Sequence, residues 1–446
     1  MSSTVRTPPG ASLRRELGRW DMTAIGVNQT IGGAVFALPA ALAASAGAWS
    51  PWMVAAVAAA SMLIALSFAE VGSRFEVTGG SYLYTRAAFG RFAAFEVGWM
   101  MWFTRVASWA SVINVLVSSL GFYWPVLTSG LPRALLLTSA IAVVAGINVI
   151  GVRQSSFVVN ALTIGKLLPL TVFVAVGIFF VDWPRVTASA SVSLPDLSTS
   201  ALLLIFAFGG YESMPVMAGE TRNPRRDVPF ALIMTIVIVG AVLTLAQVVA
   251  LGTLPGLAAS KTPLADAAVG FLGAGGAALM TLGAVFSTSG NNMGSALAGS
   301  RNLFALAEQG DVPRFAARVH PRFRTPVNAI LLTAAVVLVL ALSGTFQKLA
   351  AASSISRLVV YVATCAATLR LRARGFEGVV KPALFVVPFG PAIPVAAIVI
   401  SLAILAGATS LQLTAGVAAL AAGAMLYLLG VRGRRTPPAH GAGELS

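Results

Sequence analysis

The chain has 446 residues, of which 57% are hydrophobic and only 10% are charged, and its mean hydropathy is +0.86. Globular domains carry about 25% charged residues, so this composition excludes an ordinary soluble protein and predicts an all-α polytopic membrane protein. The single cysteine, Cys365, and the two histidines, His320 and His440, exclude a disulfide framework and a Cys/His metal cluster. We therefore expect no metal and no cofactor.

Apolar runs bounded by polar residues, proline or glycine predict twelve transmembrane helices. In chain order the predicted spans are 21–45, 49–72, 92–120, 133–151, 155–181, 199–219, 228–252, 264–299, 326–344, 349–369, 383–407 and 410–430. A polar tail, residues 1–20, precedes them, and a basic tail, residues 431–446, follows them. The longest inward connections, 72–91 and 301–325, hold enough helix formers for a short amphipathic helix.

The distribution of basic residues predicts the orientation of the spans. If the N-terminus is inside, 23 of the 30 Lys and Arg residues lie in cytoplasmic segments, 4 in the opposite loops and 3 within spans. By the positive-inside rule, both termini are expected in the cytoplasm, with the chain in the cytoplasmic (inner) membrane. The net charge of +15 is thus explained by topology and contacts with membrane lipids, and no nucleic-acid partner is expected.

The first span contains an interruption that a membrane helix does not favour. It is the polar stretch from Asn28 to Phe36, which includes the adjacent glycines Gly32 and Gly33. Each glycine costs a helix about 1 kcal/mol relative to alanine. In a membrane, backbone groups freed by such a break are tolerated only where they face protein or a water-filled cavity. The break is therefore a candidate binding site.

A second interruption lies in span 6, where Gly209 and Gly210 form another pair at mid-depth and Glu212 follows. Five spans separate the starts of the two broken helices, so two units of five spans would run in opposite directions. The predicted units are residues 21–181 and 199–369, with residues 383–430 forming two further helices. Interruptions at matching positions of two halves are the best sequence indication of a transporter binding site.

Several motifs resemble the amino acid/polyamine/organocation superfamily of secondary transporters. The matching stretches are Asn28-Gln29-Thr30-Ile31-Gly32-Gly33-Ala34-Val35-Phe36-Ala37-Leu38-Pro39, Ala69-Glu70-Val71-Gly72-Ser73-Arg74-Phe75, Gly79-Gly80-Ser81-Tyr82, 206–212, 218–229 and Gly299-Ser300-Arg301. The resemblance implies the five-plus-five inverted repeat of the leucine-transporter type, and the most similar branch is the bacterial proton-coupled amino acid permeases. Many members have a Gly-x-Gly pattern in span 1, whereas Gly32 and Gly33 are adjacent here.

An amino acid presents a carboxylate and an ammonium, and two broken helices can bind one each. Thr30, Ile31, Gly32 and Gly33 are predicted to bind substrate, with the carboxylate on the amides of the last three. The ammonium is expected on the carbonyls of Phe206, Ala207 and Phe208, beside Gly209 and Gly210. For either glycine pair alone, close helix packing is an equally good explanation.

Lys166 lies near the centre of span 5, where a lysine costs about 2.5–3.5 kcal/mol on insertion scales. In the permeases that the chain resembles, a lysine on this span replaces a bound sodium ion between spans 1, 5 and 8. The resemblance implies that Lys166 contacts span 1 carbonyls and the hydroxyl of Ser287 or Thr288, and couples transport to protons. The alternative is a permanently charged lysine that holds three helices together.

Four other residues in the spans have open roles. Arg105 either selects an acidic or hydrogen-bonding substrate side chain or pairs with Glu96 or Glu212. Arg357 is expected to be structural or to act in gating. Glu212 either relays a proton or binds backbone groups at the break, and Phe206 either covers the ligand or simply packs.

These observations predict a transporter that imports amino acids with protons by alternating access. An exchanger of amino acids or polyamines is the alternative, although the intramembrane cations disfavour polycationic substrates. A channel would need a repeated pore segment or rings of charge, and a membrane enzyme would need a catalytic constellation open to water. We expect neither, and the protein is expected to be a monomer or a homodimer.

Overall fold

The computed structural model describes residue 15 and residues 17–76, 79–150, 156–187, 193–323, 325–373 and 380–433. The two predicted cytoplasmic tails lie largely outside these residues. Within them the chain is predominantly helical, and an isolated β-bridge joins Leu17 to Thr221.

Fifteen α-helices follow one another in the described residues. They are α1 (Arg19–Thr30), α2 (Ala34–Ala46), α3 (Ser50–Gly72), α4 (Ser81–Phe89), α5 (Arg91–Leu120), α6 (Gly130–Ile150), α7 (Ser156–Gly177), α8 (Trp183–Thr187), α9 (Leu194–Ala207), α10 (Pro224–Thr253), α11 (Pro263–Glu308), α12 (Val327–Ser343), α13 (Phe346–Arg372), α14 (Ala392–Ala406) and α15 (Ser410–Gly433). A 3-10 helix over Tyr211–Glu220 continues the chain beyond α9. Each predicted span coincides with one or two of these elements.

The helices are those of a multi-pass membrane protein. Eight helical stretches in the described residues are long and apolar enough to cross a membrane, and one of them, Ala34–Gly72, runs through both α2 and α3. Three shorter apolar helical stretches accompany them, at Gly165–Phe180, Val327–Ser343 and Ala392–Ala406. The polytopic helical class predicted from composition is thereby confirmed.

Local sequence explains where several helices begin. Pro224 and Pro263 occupy the first helical positions of α10 and α11, where the missing N–H of proline costs nothing. The Ser193 hydroxyl accepts a hydrogen bond from the Asp196 amide at 3.3 Å and caps α9. Gly273, at φ 65°, kinks α11.

The eleventh predicted span starts too early. Its helix begins at Ala392, not at residue 383, because Pro388 and Pro391 interrupt the preceding segment. The region before α14 instead crosses the end of α3, where the Ser73 hydroxyl accepts hydrogen bonds from the amides of Leu384 and Phe385.

Two large apolar clusters enclose the centre of the molecule. One joins α1, α2 and α3 to α9 and α10. The other lies among α5, α6, α11 and α12. The two broken regions therefore lie on helices that pack into a continuous interior.

Candidate functional site

The first break is a short irregular segment, Ile31 to Gly33, between α1 and α2. The amide of Ile31 donates to the Val27 carbonyl and the amide of Gly32 to the Thr30 carbonyl, both at 2.8 Å. Two of the three amides predicted to bind a carboxylate are thus already bonded within the chain. The first amides of a helix lack acceptors within it, and the Phe36 amide donates to the Gly33 carbonyl at 3.1 Å. The candidate donors for an anion are therefore the amides of Gly33 and of Ala34 and Val35 in the first turn of α2.

The two glycines of this break also lie against α11. A Cβ atom added to Gly32 would be 2.8 Å from the Asn291 side-chain nitrogen, and one added to Gly33 would be 2.6 Å from the Thr288 methyl group. Close packing against α11 therefore favours glycine at both positions.

Lys166 caps the end of α1. Its side chain is fully buried, and its ammonium donates to the carbonyl oxygens of Asn28 and Ile31 at 2.5 and 2.9 Å. The Ser287 hydroxyl donates to the same Ile31 carbonyl at 3.3 Å. Lys166 and Ser287 thus donate to the same backbone carbonyl oxygen, that of Ile31 in span 1. The Thr288 hydroxyl instead donates to the Ala284 carbonyl in its own helix at 2.7 Å.

Asn291 completes this cap. Its side-chain amide donates to the Gln29 carbonyl at 3.2 Å. The last carbonyls of a helix lack intrahelical donors, and here α7 and α11 supply them. The end of α1 is therefore fixed by side chains of two other helices.

The second break follows α9, and Gly210 has a φ of 137°. A Cβ atom on Gly210 would lie 2.5 Å from the Gln29 carbonyl oxygen and 2.9 Å from the Thr30 Cα. Only glycine permits both this φ and this approach of two backbones. The two broken helices consequently touch at Gly210.

Arg357, on α13, occupies part of the predicted ammonium position. Its Nη1 donates to the carbonyls of Ile205 and Phe206, each at 3.3 Å, and the Gly209 amide also donates to Phe206. The carbonyls of Ala207 and Phe208 are those left nearest the break for a substrate cation.

Glu212 is the centre of a buried charge network. Its carboxylate accepts from Arg357 Nε at 3.1 Å and from Arg105 Nη2 at 3.4 Å. The Gly210 amide and the Tyr361 hydroxyl also donate to it, at 2.7 and 3.3 Å. Arg105 additionally contacts the Ser213 hydroxyl.

The contacts of this network coincide with one of the alternatives for Arg105 and with one for Glu212. Arg105 pairs with Glu212 rather than with Glu96, and Glu212 binds a backbone amide at the break. The Phe206 ring is buried with its edge toward Phe346, at a centroid distance of 5.9 Å. Among the described residues no cluster of His, Cys, Asp or Glu could hold a metal ion.

Sequence reasoning missed Asn291, Tyr361 and Ser213. Asn291 follows Ser287 by four residues, and Tyr361 follows Arg357 by four. Residues four apart lie on the same helix face, so this spacing would have indicated the first two.

Comparisons with known proteins identify families and relatives that are similar to this chain over most of its length. The model of the amino acid permease family matches residues 17–431, which confirms the resemblance seen in the motifs. An uncharacterised transporter of Mycobacterium tuberculosis is 31% identical over 370 residues, covering 80% of this chain and 81% of that protein. The branched-chain amino acid permease of Bacillus subtilis is 27% identical, with 88% and 87% covered. The serine/threonine exchanger of the same species is 29% identical, with 86% and 89% covered.

Proposed function

The chain belongs to the amino acid permease family, and we propose that it moves amino acids across the cytoplasmic membrane together with protons by alternating access. Family membership and the transporter names of its relatives make it a transporter and not an enzyme. The geometry that supports the finer mechanism is the capture of the α1 end by Lys166.

The helix contacts support a five-plus-five inverted repeat of twelve spans. In such a repeat, spans 2 and 7, 3 and 8, and 4 and 9 are counterparts. The corresponding helices pack on one another here: α3 on α10, α5 on α11, and α6 on α12. The breaks of spans 1 and 6 also touch, through Gly210 and Gln29.

Proton coupling is proposed for Lys166 because its charge is held by neutral groups. Among the described residues, no carboxylate lies within 4.0 Å of its ammonium. If Lys166 lost its proton, no buried carboxylate would be left without a cation. The positive charge that strengthens both hydrogen bonds to the α1 carbonyls would also be removed. The protonation state of Lys166 then controls how firmly the broken helix is held.

The substrate is proposed to lie between the two breaks. Its carboxylate would meet the amides of Gly33 and the first turn of α2, at the positive end of a helix. Its ammonium would meet the carbonyls of Ala207 and Phe208. Because Arg105, Arg357 and Lys166 are all buried, a polycationic substrate is disfavoured.

Exchange without net proton movement is the second candidate. It is favoured by the similarity to an exchanger, which is as strong as the similarity to a permease. For either mode we propose a monomer or homodimer, in contact with membrane lipids, with both termini in the cytoplasm, as the basic residues indicate.

Uptake into proteoliposomes tests the proposal. Purified protein is supplied with a panel of labelled amino acids, with and without an inward proton gradient. We expect accumulation that depends on the gradient, and Lys166→Ala should remove that dependence while some exchange remains. Lys348→Ala, a change at an exposed lysine, is the matched control. If no amino acid or amine accumulates or exchanges, the proposed function is wrong; unchanged gradient dependence in Lys166→Ala refutes only the role of the lysine.

A further inference from the structure

One face of α11 looks toward the first break and α5. Thr288, Asn292, Ser295 and Gly299 are spaced by four, three and four residues, so they form a single stripe along the helix. At one end of the stripe Thr288 meets Gly33, and at the other Gly299 approaches the Cβ of Arg105, 3.4 Å from a Cβ added to the glycine. Asn292 and Ser295 lie between these fixed ends.

The side chains in the middle of this stripe are polar and without partners. Asn292 is fully buried, and neither its oxygen nor its nitrogen has a hydrogen-bond partner in the described part of the chain. The hydroxyls of Ser295 and of Thr30, at the end of α1, are buried and unpaired in the same sense. Orphaned buried polar groups are rare in native structures, and each one requires a physical explanation.

Other buried asparagines of the chain are treated differently. Asn114 donates to the carbonyls of Ala110 and Ala341 at 2.8 and 3.3 Å, and Asn148 donates to Val144 at 2.9 Å. Both of these carboxamides therefore have protein partners. The carboxamide of Asn292 has none, and it lies one helical turn from Thr288, which meets Gly33 at the first break.

We propose that Asn292 and Ser295 hydrogen-bond the side chain of the transported amino acid, and that this side chain carries a hydroxyl or a carboxamide. The inference rests on the proposed function and names its substrate class. A carboxamide offers a donor and an acceptor together, which matches the hydroxyl of threonine or serine and the amide of asparagine or glutamine. An aliphatic side chain would leave Asn292 and Ser295 buried and unpaired.

Threonine and valine give the sharpest test, because they have nearly the same shape and differ by a hydroxyl in place of a methyl group. In proteoliposomes made with the wild-type protein, we expect kcat/KM for threonine to exceed that for valine by about tenfold or more. Asn292→Leu should reduce this ratio about tenfold, and Ser295→Ala should reduce it by a smaller factor. The ratio does not depend on how much protein is active, so a merely structural role would leave it unchanged.

Asn148→Leu is the matched control, since it alters a buried asparagine that already has a partner, and it should leave the threonine-to-valine ratio unchanged. Should Asn292→Leu fail to fold, the wild-type ratio and Ser295→Ala still decide the matter. A preference for valine in the wild-type protein, or an unchanged ratio in Asn292→Leu, overturns the inference while the proposed function stands. Absence of uptake of every amino acid contradicts both.

Discussion

The buried network around Glu212 predicts which of two substitutions, Glu212→Gln or Arg105→Gln, destabilises the protein more. It contains two arginines and one carboxylate, so its formal charge is +1. Glu212→Gln raises that charge to +2 and leaves Arg105 and Arg357 without an anion. Removing one partner of a buried ion pair costs about 3–5 kcal/mol, and we expect a loss in that range.

Arg105→Gln changes the same network in the opposite direction. It leaves one arginine facing one carboxylate, and Glu212 keeps its bonds from Arg357, Gly210 and Tyr361. The loss is limited to an ion pair with an N–O distance of 3.4 Å and the contact with Ser213, which we value at about 1–2 kcal/mol. Glu212→Gln should therefore be the less stable variant by about 1–4 kcal/mol.

The single cysteine of the chain allows the thermal unfolding of these variants to be measured. Cys365 is the only cysteine, and it is fully buried on the same helix as Arg357. A thiol-reactive fluorogenic dye added to detergent-solubilised protein will thus report thermal unfolding. Asp182→Asn is the control, because Asp182 pairs with Arg185 at the surface, where such a pair is worth about 0–1 kcal/mol. Equal unfolding temperatures for Glu212→Gln and Arg105→Gln would refute the charge-balance reasoning.

Two further predictions use the same unfolding assay. Gly210→Ala should cost at least about 1–3 kcal/mol, because an alanine is strained at φ 137° and its Cβ would clash with the Gln29 backbone. Gly275→Ala, at a helical site with open space around it, is the control and should be neutral or stabilising by up to about 1 kcal/mol. Equal effects of the two substitutions would contradict the contact between the breaks. Glu70→Gln should cost about 3 kcal/mol, since Glu70 is buried and accepts from Nε and Nη2 of Arg372 and from the Val387 amide at 2.9 Å. Stability like that of Asp182→Asn would show that this cluster does not hold α13 to the end of α3.

The sequence predicts the helices well because each apolar run is bounded by strong local signals. The breaks were located by adjacent glycines, and Lys166 was singled out by its depth in an apolar span. Such features depend only on neighbours along the chain. The start of α14 was misplaced because apolar residues continue through Pro388 and Pro391, and composition outweighed the helix-breaking effect of the prolines.

Partner choice in the site could not be predicted in the same way. Glu96 and Arg105 lie on the same helix, α5, nine residues apart and therefore on opposite faces, so helical periodicity alone would have excluded that pair. Which other helix supplies a partner for Arg105 depends on how α5 is rotated against its neighbours, and no local pattern gives that rotation. The amide of Ile31 continues the helical hydrogen bonding of α1 to Val27, and the amide of Gly32 closes a tight turn to Thr30. The lack of a partner for the Asn292 carboxamide becomes visible only once the helices around it have been placed.

The two breaks are held by different types of side chain, and the proposed proton coupling would act on only one of them. The segment after Gly210 is bound through Glu212 to arginines on two helices, α5 and α13, and arginine does not lose its proton in proteins. The end of α1 is bound through carbonyls to one lysine, whose ammonium can release a proton. Under the proposed role of Lys166, loss of its proton would weaken the hold on α1 and leave the charges around Glu212 unaltered. The proposed proton coupling would therefore act on the end of α1, and the segment from Gly210 to Ser213 would keep its contacts with α5 and α13.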